Sequence, residues 1–188
     1  MVTLATEMGN PYRRGLGEFY LGWIDSVEHD RPEVIERMER ALADHRATGS
    51  LIGMSSLLSL IAQSQGRFAR YSEAFIAVDE ALTFIEQTGE RLFEAEVHRI
   101  KGELLLAQNL STAAEAEDSF RTAINIAIRQ NAKSWELRAR TSLARVLRDT
   151  NRRDEARTTL AEIYNWFTEG FDTADLKDAK ALLDELAS

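Results

Sequence analysis

The feature that most restricts this chain is a period of about 40 residues, marked in three separate ways. Small residues within one set of apolar helical segments fall at Gly22, Ala62, Gly102 and Ala144, spaced 40, 40 and 42 apart. A second set, Ala41, Ala81, Ala123 and Ile163, is spaced 40, 42 and 40 apart. Residues that accept the left-handed conformation ending a helix recur at Gly49, Gly89, Asn131 and Gly170. Each repeat of this length is a supersecondary unit that buries its apolar face only by stacking on a neighbour.

The stretch from Gly89 to Asn131 shows what one repeat contains. Its first half carries Leu92, Phe93, Val97, Ile100, Leu104 and Leu105 near the 3.6-residue period, and its second places Ala116, Phe120, Ala123, Ile124 and Ala127 on one stripe. Two such stripes predict an antiparallel helical hairpin. With only 2 prolines in 188 residues and no alternating Val/Ile/Thr run bounded by turn residues, the fold class is all-α. The spacing predicts hairpins over about 11–48, 50–88, 90–131 and 133–169, and an amphipathic capping helix over about 174–186. Residues 1–188 are read together as a single helical-repeat domain. Local signals add detail. Pro32 suits the first turn of a helix, Gly66 the turn of the second hairpin, Thr112-Ala-Ala-Glu115 a capping box, and Asn151 a cap with Asp154 near the positive helix end. Tyr164, Trp166, Phe167 and Phe171 are expected to join the last hairpin to its cap, and Trp135 to lie in the core.

Within the hairpins the steps also repeat. From Ala62, twelve residues lead to Ala74, four more to Val78 and three more to Ala81; from Ala144 the same steps reach Ala156, Leu160 and Ile163. The first hairpin has Gly22, Val34, Met38 and Ala41, and the third Gly102, Ala116, Phe120 and Ala123, with two extra residues in its turn. Small residues are needed where helices cross closely, and a bulky one fills the gap beside them. This spacing resembles the tetratricopeptide repeat, with a period longer than the usual 34 residues. The phrases GERLFEAEVHRIKGELLLA, KSWELRARTSLARVLRD and NWFTEGFDTADLKDAKALLDEL resemble MalT-like helical regions in bacterial multidomain signalling proteins. In those proteins a nucleotide-cyclase-like domain and an ATPase module precede a tetratricopeptide-like tail. The resemblance implies a right-handed α–α superhelix of about four hairpins that acts as a scaffold, sensor or partner-binding region. It also makes the ATPase or cyclase domains of the same natural chain expected partners. The phosphate loop GxxxxGK[ST] of such an ATPase is not in this sequence.

Composition removes several other classes. The chain has no cysteine, hence no disulfide or thiolate chemistry, and a cytoplasmic location is expected. The start MVTLATEMGNPYRR lacks a basic-then-apolar signal, and no apolar run approaches the ~18 residues of a membrane span, so no membrane partner is expected. A formal charge of −8 argues against nucleic-acid binding. Gly15, Gly17 and Gly22 lack both the preceding strand and the spacing of a dinucleotide loop. His29, His45 and His98 form no HExxH, and Glu94 with His98 does not complete a di-iron set. Neither a metal nor another cofactor is expected. No Ser/His/Asp or Cys/His set can be assembled, and the chain is read as non-enzymatic.

Charge provides the best functional signal. From Lys133 to Arg153 there are seven basic and two acidic residues, whereas from Asp154 to Ser188 there are nine acidic and three basic. In tetratricopeptide arrays the first helix of each hairpin lines the concave face. Counted from the small residues, that face carries Phe19 and Trp23, then Ser59 and Gln63, then Arg99 and Glu103, then Arg138, Thr141, Arg145 and Arg148. Arginine forks suit carboxylate or phosphate. The expected function is therefore a protein-interaction or sensor module that binds a protein or acidic peptide, with Arg99, Arg138, Arg145 and Arg148 as anion anchors and Phe19 and Trp23 as apolar contacts. Against this stands a plainer reading, in which the arginines form a solvated row paired with the acidic last third. Two other functions stay open: a small-molecule sensor, and a homo-oligomeric scaffold such as a homodimer. The latter would join through the open end near Met1–Asn10, where Leu16, Phe19 and Tyr20 are left uncovered.

Overall fold

The computed structural model describes residue 7, residues 9–29 and residues 31–187. Among the described residues there are nine α-helices, one short 3-10 turn and no strand. The helices are α1 Pro11–Glu28, α2 Val34–Ala47, α3 Met54–Arg67, α4 Tyr71–Thr88, α5 Glu94–Gln108, α6 Ala113–Arg129, α7 Lys133–Asp149, α8 Arg153–Tyr164 and α9 Ala174–Ala187. The all-α class and the predicted pairs of helices are therefore present. The expectation concerning Met1–Asn10 falls largely outside the described residues. Residue contacts divide the chain into two compact units, Met1–Glu90 and Arg91–Ser188.

In the first unit α1 packs on α2 and α3 on α4, while α3 also touches α1 and α2. Its interior holds Phe19, Ile35, Met38, Leu57, Leu58, Ile61, Val78 and Ile85. In the second unit α5 packs on α6, α6 on α7 and α7 on α8, and α9 closes over α7 and α8. Phe120, Leu137, Leu143, Leu147, Leu160 and Ile163 form its core, and α9 contributes Leu176, Ala179, Leu182 and Leu186. Each large apolar side chain removed from water this way stabilises its unit by about 1.5–3 kcal/mol.

The small residues behave as their spacing predicts. A Cβ placed on Gly22 would stand 2.8 Å from Cγ of Met38, and one on Gly102 would stand 2.5 Å from Cε1 of Phe120. The bulky residue of each hairpin therefore occupies the space that the glycine leaves. Gly49, Gly89, Asn131 and Gly170 all have positive φ, as the helix-ending signal requires.

Several local expectations fail, each for a physical reason. Gly66 is inside α3; the turn is made by Ala69 at φ 57°, with the Arg70 N–H donating to the Gln65 carbonyl. Asn151 is not a side-chain cap but a second positive-φ turn residue, after which the Arg152 N–H donates to the Leu147 carbonyl at 2.7 Å. Thr112 forms no capping box, because its hydroxyl donates backward to the carbonyls of Leu105 and Asn109. Helix α2 begins at Val34, two residues beyond Pro32. Tyr164 and Phe167 pack against the core of the second unit, but Trp166 and Phe171 remain exposed.

Candidate binding face

The second unit brings α5, α7 and α9 together, and their charged residues meet there. Arg145 donates to both carboxylate oxygens of Asp178, at 2.5 and 2.6 Å. Arg148 donates to the Glu185 carboxylate at 2.9 and 3.2 Å and, through Nε, to Asp149 at 2.8 Å. Arg138 pairs with Glu96 at 2.8 Å, while its Nε stands 3.9 Å from Asp175. Asp175, Asp178 and Glu185 of α9 occur at positions i, i+3 and i+10, which lie on one side of that helix next to its apolar stripe. The predicted anchors Arg138, Arg145 and Arg148 are thus assembled into one row along α7. Each already holds a carboxylate of its own chain, and for Arg145 and Arg148 that partner belongs to the acidic last third.

Arg99 differs from that row. It is 4% exposed and donates to both oxygens of Glu96, itself 5% exposed, and also to Glu103. Burial alone would pull an arginine's pKa down. The Glu96 hydrogen bonds and the charge of Glu103 outweigh it and hold Arg99 above its ordinary value. Arg99 is a core ion, not a surface anchor, and its work is to neutralise Glu96 together with Arg138. A second buried pair escaped the sequence reading: Glu136 accepts from Lys133 at 2.8 Å and from Arg140 at 3.0 Å, and Arg140 also reaches Glu162. Their i, i+3 and i, i+4 spacings signal these pairs; nothing in the spacing signals their burial.

In the first unit the expected apolar contacts are placed differently. Phe19 is 1% exposed and packs edge-on to Tyr20, so it is core. Trp23 is half-buried. The exposed apolar side of α1 is instead formed by Tyr20, Leu21, Ile24 and Val27. Ser59 and Thr141, also expected on the face, are buried, and their hydroxyls donate to the carbonyls of Ser56 and Leu137.

Among the described residues no group of three or more His, Asp or Glu side chains is placed to hold a metal ion. No described helix is long and apolar enough to cross a membrane. Comparison with family models and with curated proteins finds no match to this chain.

Proposed function

We propose that this chain is a tetratricopeptide-like interaction module whose hairpins stack as turns of a right-handed superhelix, and that it binds a protein or peptide bearing clustered carboxylates. The observation that carries the reading is the two-oxygen grip of Arg145 on Asp178, in line with Arg138 and Arg148. Along α7 the chain thus displays guanidinium groups oriented to receive carboxylates presented by a helix. The present counter-ions on α9 do not block this role. Asp178 and Glu185 are about half exposed, and surface pairs of that kind contribute only about 0–1 kcal/mol each. A partner carboxylate can therefore take over Arg145 or Arg148 at little cost while α9 stays anchored by Leu176, Leu182 and Leu186. The similarity in phrasing to MalT-like tails favours a catalytic signalling domain as the partner.

The test is affinity capture with the wild-type chain and with a variant in which Arg138, Arg145 and Arg148 are all replaced by Ala. Partners retained by the wild type should be lost from the variant, and more than half of the binding should disappear as salt rises from about 0.05 to 0.5 M. Equal capture by both proteins refutes the proposal.

A further inference from the structure

The loop over residues 165–173 folds beside the start of α7 and the start of α9, and together they line a half-open cavity of about 450 Å³. That volume lies within the range of small-molecule sites. Its apolar wall is made by Leu137, Leu176, Trp166 and Phe167, and its charged lining consists of Glu169 and Asp175 without a cation. Packing accounts for Leu137 and Leu176, which belong to the core. It does not account for Trp166, which is 57% exposed and held edge-on to Phe167 with ring centroids 5.1 Å apart.

The surrounding charges are committed in a way that leaves the cavity acidic. Lys133 stands over the Trp166 ring, 5.6 Å from its centroid, but its ammonium is paired with Glu136 at 2.8 Å. Arg138 is paired with Glu96 and lies over Trp135, so its approach to Asp175 is the longer one, 3.9 Å. Glu169 has no ion-pair partner among the described residues. Asp175 lies in the first turn of α9. An indole face attracts cations, and carboxylates beside an apolar wall select a ligand that is positive at one end and flat and greasy at the other.

We propose that this cavity binds a free arylalkylamine: its ring packs among Trp166, Phe167, Leu137 and Leu176, and its ammonium meets Glu169 and Asp175. The site meets the arginine row only at Asp175, 3.9 Å from Arg138, and its test reads small-molecule binding, not partner capture. The test titrates the full chain with phenethylamine, 2-phenylethanol and 3-phenylpropionate, followed by calorimetry. These three probes share a ring and differ in charge. Phenethylamine should bind at least about tenfold more tightly than either of the others. Replacing both Glu169→Gln and Asp175→Asn should remove that preference while leaving the weak 2-phenylethanol binding unchanged. Trp166→Ala should weaken all three probes, with the helical circular dichroism intact. Equal or tighter binding of the alcohol or the acid, no saturation by any probe below about 10 mM, or an amine preference that survives the double substitution overturns the proposal.

Discussion

Adding one carbon at Gly102 tests the geometry on which the second unit is built. The new Cβ of Gly102→Ala would lie 2.5, 2.8 and 2.9 Å from three ring carbons of Phe120, a residue with no measurable exposure. A rigid ring in a packed core has nowhere to turn, and overpacking of this kind costs about 1–3 kcal/mol. Against it stands the better helix propensity of Ala, worth about 0.5–1 kcal/mol. The net expectation is a loss of about 1–2 kcal/mol, which in a unit of this size lowers Tm by roughly 5–10 °C. Gly22→Ala is the companion case. It occupies the same place in the first hairpin, where its new carbon would stand 2.8 Å from Cγ of the fully buried Met38, which must shift near its root. An unbranched thioether chain yields more readily than a ring, so that variant should lose less than Gly102→Ala, about 0–1 kcal/mol. The assay is thermal and urea unfolding followed by tryptophan fluorescence in a Trp23→Phe background, so that only Trp135 and Trp166 of the second unit report; for Gly22→Ala, Trp23 is kept and the other two are replaced. In a Phe120→Leu background the cost of Gly102→Ala should shrink or change sign, the mark of a direct contact. If Gly102→Ala matches or exceeds the wild type in stability, the close-crossing argument is wrong.

Two further perturbations test the buried polar groups. Arg99→Met leaves Glu96 buried with Arg138 as its remaining partner, and it should cost about 3 kcal/mol, the low end of the usual effect of breaking a buried pair. Urea midpoints decide it: a loss below about 1 kcal/mol would show that Glu96 is adequately solvated without Arg99. His45 is 1% exposed against the ring of Tyr12, and burial, partly opposed by the Ile52 backbone, holds its pKa below the ordinary histidine value of about 6.5. Its folded pKa is depressed, so the unfolded chain binds the proton more readily. The His45 contribution is then complete above about pH 6.5 and is lost as pH falls through that value toward the folded pKa. The stability of the first unit against unfolding, reported by Trp23, should fall from pH 7.5 to pH 5, and His45→Gln should flatten that slope; an unchanged slope points to other groups.

The period, the helical pairs, the closing helix and the crossing glycines were legible in the amino-acid order, because each is a local demand. A helix needs its apolar residues at a fixed period, a close crossing needs a small residue beside a bulky one, and a reversal needs a residue that tolerates positive φ. Gly102 with Phe120 and Gly22 with Met38 meet that demand within one hairpin. The candidate site depended on something else, the rotation of each helix about its axis and the element that came to rest on it. Phe19 and Ile24 are equally apolar in sequence, yet α2 and α3 pack over one side of α1, burying Phe19 and leaving Ile24 in water. Arg99 and Arg145 both come from first helices of hairpins, but Arg99 faces Glu96 in the interior while Arg145 meets Asp178, 33 residues away. Charge composition alone showed that arginines and carboxylates were present in consecutive blocks. Only the seating of α9 on α7 and α8 decided which of them pair, because an apolar stripe sets where a helix docks and the charges beside that stripe then meet whatever lies opposite.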